Sequence, residues 1–63
     1  TGNIHVVADA VIETIKVYST SGSLCITETP ASESAIINAG DLNGIYVVEV
    51  QTAGSVKRAK VRL

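Results

Sequence analysis

Apolar and polar residues alternate along most of this chain, and most breaks in the alternation fall on glycine, proline or clustered serine and asparagine. That is the pattern of short, half-buried strands joined by turns. The strongest instance runs from Asp41 to Val50. Asn43-Gly44 tolerates positive φ and lets the chain reverse. Ile45, Val47 and Glu49 then point to one face, and Tyr46, Val48 and Val50 to the other. Four β-branched residues in the six positions from Ile45 to Val50 favour a strand over a helix. Apolar side chains on both faces make it a central strand.

Five further strands are predicted around it. Thr1-Gly2-Asn3 reads as a turn before a strand from Ile4 to Ala8, with Ile4, Val6 and Ala8 on one face and Asp9 as its end. Ala10 to Glu13 reads as a short connection whose Val11 and Ile12 cap the core. Thr14 to Thr20 is a second strand, with Ile15 and Val17 facing one way and Lys16, Tyr18 and Thr20 the other. Ser19 to Ser23 is a hairpin connection, and Gly22 takes the left-handed position of a bulged type I turn. Leu24 to Thr29 returns antiparallel, with Leu24 and Ile26 inward and Cys25 half-buried. Pro30 has no N–H to give and ends the ladder.

Ala35 to Asn38 is a short edge strand. Gln51 to Ser55 is a second hairpin turn, with Gly54 at the position that needs a permissive residue. The last strand, Val56 to Leu63, sets Ala59, Val61 and Leu63 inward and Arg58, Lys60 and Arg62 outward. Six strands, short connections and no helical period predict an all-β chain, arranged as an antiparallel β-sandwich.

Composition sharpens this picture. A domain of 63 residues buries roughly 60% of the surface its unfolded chain exposes. With no Trp, Phe or Met, the core must come from nine Val, seven Ile and three Leu, a ratio that favours sheet. No run approaches the roughly 20 apolar residues of a membrane helix, so no membrane insertion is expected. One cysteine excludes an internal disulfide, and one Cys with one His gives no basis for a zinc cluster. No metal and no cofactor is therefore expected. A sandwich this small without staples has modest stability or leans on a neighbouring segment. The absence of an initiator Met suggests a piece of a longer protein or a mature, processed chain.

The candidate chemistry is sparse. His5 stands alone and reads as a surface residue. The hairpin serines are turn residues with no base in view. Six scattered carboxylates and one His do not make a catalytic constellation, and the chain is too small for a pocket of ordinary size. No catalytic residue and no enzyme is expected. Charge carries more information. Lys57, Arg58, Lys60 and Arg62 are four of the five basic residues, while all six acids precede residue 50. From the residues alone, this reads as a solvated edge strand whose charges block edge-to-edge aggregation. Nucleic acid is not an expected partner, because the net charge is -1 and no aromatics interleave the basic patch.

Taken in order, Ile15-Lys16-Val17-Tyr18, Gly22 and Leu24, then Leu42 with Gly44-Ile45-Tyr46-Val47-Val48, then Gly54 and a basic strand ending Lys60-Val61-Arg62-Leu63 resemble the C-terminal sorting domain of the type IX (Por) secretion system. The resemblance covers Ile4 to Leu63, and its motif positions here are Val17, Tyr18, Gly22, Leu42, Gly44, Tyr46 and Gly54. Ser19 and Ser23 stand where the family often has Asp and Arg, and the Leu42 to Gly44 interval is one residue tighter than usual. The family's opening strand, often introduced by Pro-Asn-Pro, is absent.

The resemblance implies an Ig-like β-sandwich with about six strands present of a seven-stranded domain. It implies a non-catalytic secretion signal that directs an upstream cargo domain through the outer-membrane translocon of a Gram-negative bacterium to the cell surface, where a sortase typically removes it. The implied partners are the translocon or an outer-membrane shuttle protein and the sortase, and the domain passes through the periplasm on its way. The signal residues would be Lys57, Arg58, Lys60, Val61, Arg62 and Leu63. An edge left open by the missing strand implies strand pairing with a second copy. The alternative is an Ig-like adhesive or carbohydrate-binding module of an extracellular protein. Such modules usually display exposed aromatics, whereas Tyr18 and Tyr46 are both expected in the core.

Overall fold

The computed structural model describes residues 2–40 and 42–63. Five antiparallel strands form one open sheet: β1 (Gly2–Ser19), β2 (Leu24–Glu28), β3 (Ser32–Gly40), β4 (Ile45–Thr52) and β5 (Ser55–Arg62). There is no helix among the described residues. The C-terminal half of β1 pairs with both β2 and β4, its N-terminal half pairs with β3, and β5 pairs with β4. β4 is thus a central strand, as its two apolar faces require. Thr1 and Asp41, assigned above to the first turn and to the start of the Asn43-Gly44 stretch, lie outside the described residues.

The chain is all-β, but it has five strands, not six. The segments predicted as Ile4 to Ala8 and Thr14 to Thr20 are one strand of 18 residues. Drawn straight, such a strand would reach about 55–60 Å, yet the longest dimension of the molecule is 29 Å. β1 must therefore turn a corner. Its register jumps between Val7 and Ile12 against β3, and again between Ile12 and Thr14 against β4.

Extra residues of this kind bend a strand and raise its twist. The second jump also reverses the phase of the alternation. Ile4, Val6 and Ile12 are buried before the second jump, and Ile15 and Val17 after it. The predicted connection Ala10 to Glu13 is this corner. Ile12 is fully buried there, but Val11, expected in the core, is exposed. Gly2 and Asn3 begin the strand and do not form a turn.

The corner brings residues distant in sequence into one core. Ile4 and Val6 from the first half of β1 cluster with Ile15 and Val17 from the second, with Ile37 and Ala39 of β3 and with Val48 of β4. β3 is an edge strand as expected, but it is longer than Ala35 to Asn38, because backbone pairing with β1 extends it through polar residues at both ends.

At the first hairpin Gly22 has φ of 92°. The Gly22 N–H donates to the Ser19 carbonyl at 2.9 Å, and the Ser19 N–H to the Ser23 carbonyl at 2.8 Å, which is the bulged turn predicted. A separate irregularity shifts the register between Val17 and Tyr18, so Ile26 lies opposite Val17 but Leu24 opposite Tyr18. Leu24, expected inward, is therefore exposed, and so is Cys25, expected half-buried. Ile26 does pack on the core. β2 ends at Glu28, one residue short of the expected Thr29, and Pro30 follows before a single residue of left-handed backbone, Ala31 at φ 52°.

The two other turn glycines differ from each other. Gly44 has φ of 100°, but Gly54 is not in the left-handed region, so the permissive role assigned to it is not used. Nothing lies within 4 Å of a Cβ placed at either position. Any cost of Gly44→Ala is therefore backbone strain, about 1–2 kcal/mol. Gly54→Ala is expected to stay within roughly 0.5 kcal/mol of the parent. Urea denaturation of the two variants checks the contrast.

Candidate interaction surface

β5 pairs with β4 over eight consecutive positions without irregularity, from Ile45↔Arg62 to Thr52↔Ser55. No other strand among the described residues joins its far edge. The phase of its backbone bonds is set at one end. The Leu63 N–H donates to the Gly44 carbonyl at 2.8 Å, and the Gly44 N–H to the Leu63 carbonyl at 3.2 Å. Such reciprocal pairs recur every second residue of an antiparallel ladder. Lys57, Ala59 and Val61 therefore exchange bonds with β4, while Val56, Arg58, Lys60 and Arg62 turn their N–H and C=O groups to the free edge.

The same alternation divides the six residues singled out from sequence. Val61 and Leu63 pack against the core, with Lys57 on their face. Arg58, Lys60 and Arg62 are exposed on the opposite face, beside Tyr18 and Val47, which are cross-strand partners there. Ala59, expected inward, shares the face of Val61 but is exposed, because it lies at the rim of a cleft. On the outer face the Arg58 Nε–H donates to Glu49 Oε1 at 2.8 Å, with the Arg58 side chain 67% exposed. The Glu49 side chain is only 14% exposed, so Arg58→Ala, which leaves that carboxylate without its partner, is expected to cost about 1 kcal/mol, less at high salt. Thermal unfolding at two salt concentrations measures it.

The motif residues mostly gather at one end of the sheet. Ser19 pairs with Tyr46 and Tyr18 with Val47 across β1 and β4. The Gly22 turn follows β1, and the Gly44 turn precedes β4 and holds Leu63. Leu42 and Tyr46 pack against the core, and Val17 is within it. Gly54 lies apart from them, in the turn at the opposite end of β4 and β5. Tyr18, expected in the core, is half-buried on the outer face.

A cleft not foreseen from the sequence lies between the first half of β1 and the β4–β5 hairpin. It is open, has a volume of about 460 Å³, and is lined by Val6, Val7, Val50 and Lys57 among others. The chain is thus large enough for a concavity of ordinary volume, contrary to expectation. On its rim the Ser55 hydroxyl lies 3.1 Å from that of Thr52. Above the cleft, β1 from Gly2 to Val11 has a strand partner, β3, on one edge only. Neither feature has a local sequence signal, since both depend on where the β1 corner sends the chain.

His5 is exposed. Among the described residues, no group of three or more His, Cys, Asp or Glu side chains is placed to hold a metal ion. Likewise, no helix there is long and apolar enough to cross a membrane. No family model matches the chain, and neither curated proteins nor solved structures provide a match.

Proposed function

We propose that this chain is the C-terminal sorting domain of a protein exported by a type IX secretion system, a non-catalytic signal recognised through its last strand. In this reading the two halves of β1, separated by its corner, count as two strands of an Ig-like sandwich. The domain carries an upstream cargo through the periplasm to the outer-membrane translocon or its shuttle protein, and a sortase then removes it at the cell surface. The observation that carries the reading is the meeting of Tyr18, Gly22, Gly44 and Tyr46 at one end of the sheet, where Gly44 holds Leu63 by two backbone bonds. Residues scattered over 46 positions of sequence, from Tyr18 to Leu63, thereby support a single display of the basic strand.

Transfer of the signal tests it. A folded reporter with an N-terminal export signal receives residues 1–63, with the segment that precedes them in the precursor, at its C-terminus. The reporter is expected on the surface or in the medium of a type IX host, and in the periplasm of a translocon-deficient strain. Periplasmic retention in both, with the domain folded, would count against the proposal.

The open edge of β1 from Gly2 to Val11 is suited to pairing with a second copy, so residues 1–63 alone are expected to dimerise. A strictly monomeric sedimentation profile at high concentration would contradict this.

The half-buried position of Tyr18 on the outer face favours a second reading, an Ig-like adhesive or carbohydrate-binding module with that ring as a stacking platform. Glycan-array binding abolished by Tyr18→Ala would support it, and a blank array would remove it.

A further inference from the structure

We propose that the free edge of β5 is a docking site for an extended acidic segment of a partner protein, which adds to the sheet as a further strand. The inference rests on the reading of β5 as the recognised strand and deepens it by fixing the partner's chemistry. The backbone groups turned to the free edge belong to Val56, Arg58, Lys60 and Arg62, by the phase of the Gly44–Leu63 pair. The strand is regular over all eight pairs, without the bulge or proline that blunts many edges. It can therefore extend a ladder.

Three of the four residues with free backbone groups are cations on one face of the sheet. Glu49 pairs with Arg58, and neither Lys60 nor Arg62 has an ion-pair partner among the described residues. An added strand sets every second side chain opposite these cations. Those side chains must be acidic to match. The intervening side chains fall on the other face beside Ala59 and Val61, where apolar residues fit. The complementary segment therefore alternates acidic and apolar residues.

A second copy of this chain does not meet that description. β5 paired with itself sets cation against cation, which is destabilising. The other outer edge, β2 and β3, offers only Glu28 and Glu33, on either side of the break at Pro30. Charges that merely keep an edge from aggregating have no preference for alternating acids, and the experiment uses that difference.

The probes are two blocked peptides of the same composition, one with Glu and Val alternating and one with the glutamates and valines in separate blocks, titrated into the isotope-labelled chain. The alternating peptide is expected to bind and to slow amide exchange at Val56, Arg58, Lys60 and Arg62, with Lys57, Ala59 and Val61 unchanged. The blocked-order peptide is expected to bind at least about tenfold more weakly. The double variant Lys60→Glu/Arg62→Glu should lose about tenfold in affinity for the alternating peptide, as expected for two exposed pairs turned from attraction to repulsion. It should instead bind a peptide in which Lys replaces Glu. Unchanged protection of Ala59 and Val61 shows that the variant is folded, and the exchange pattern of the parent chain decides the matter even if it is not.

Equal binding of both peptides, protection elsewhere, or no binding at millimolar peptide would overturn the proposal. Normal export of a reporter carrying the double variant, with peptide binding lost, would defeat this inference and leave the sorting reading standing. Peptide binding as expected, with no export of the parent fusion, would defeat the sorting reading alone.

Discussion

Ile37→Ala is expected to unfold a large fraction of the chain, whereas Ile36→Ala leaves it folded. The two isoleucines are adjacent in β3 and identical in composition, but Ile37 is 1% exposed in the core and Ile36 is 65% exposed. Truncating a buried isoleucine costs about 2–5 kcal/mol through lost transfer free energy and the cavity left behind. An exposed one stays within roughly 0.5 kcal/mol. A chain of this size has total stability on the order of 3–9 kcal/mol, so the first change removes much of it. Urea midpoints of the two variants should differ widely. Similar midpoints would mean that β3 is not held in the register Ile4↔Ile37.

Ile12→Ala and Ile15→Ala are both expected to cost about 2–5 kcal/mol, although they are three positions apart. In a regular strand, residues an odd number apart face opposite sides, and one of the two would be cheap to truncate. Here both are fully buried because the register jump between Ile12 and Thr14 reverses the phase. Glu13→Ala, at the jump itself, is expected to stay within roughly 0.5 kcal/mol, since that side chain is exposed. A low cost at either Ile12 or Ile15 would show that β1 runs without the bulge, and the corner would then lose its explanation.

This corner also explains what the sequence concealed. Asp9 and the phase break at Glu13 look like a connection between two strands, because alternation reports only which face a residue occupies, and a bulge breaks it as a loop does. The first hairpin was misjudged for a related reason. Gly22 marks its turn correctly, but a one-residue shift at Cys25, opposite Val17 and Tyr18, sets Leu24 on the opposite face from the one simple alternation gives.

Where no irregularity intervenes, the pattern was sufficient. Gly44, the central strand β4 and the alternation of Arg58, Lys60 and Arg62 along β5 are as expected. The polar ends of β3 have no strand signal of their own and are strand because β1 supplies their hydrogen bonds. The division of the basic strand into a core side and a free-edge side required the Gly44–Leu63 pair, which fixes the bond phase that sequence leaves open.

The central claim is that the domain is recognised at the free edge of its last strand. The most direct test places a photo-reactive residue at Lys60, and separately at Ile36 on the far strand, in the reporter fusion within a type IX host. The account predicts an adduct between position 60 and an outer-membrane translocon or shuttle component, and none from position 36. Equal adducts from both positions, or an adduct from position 36 alone, would contradict it.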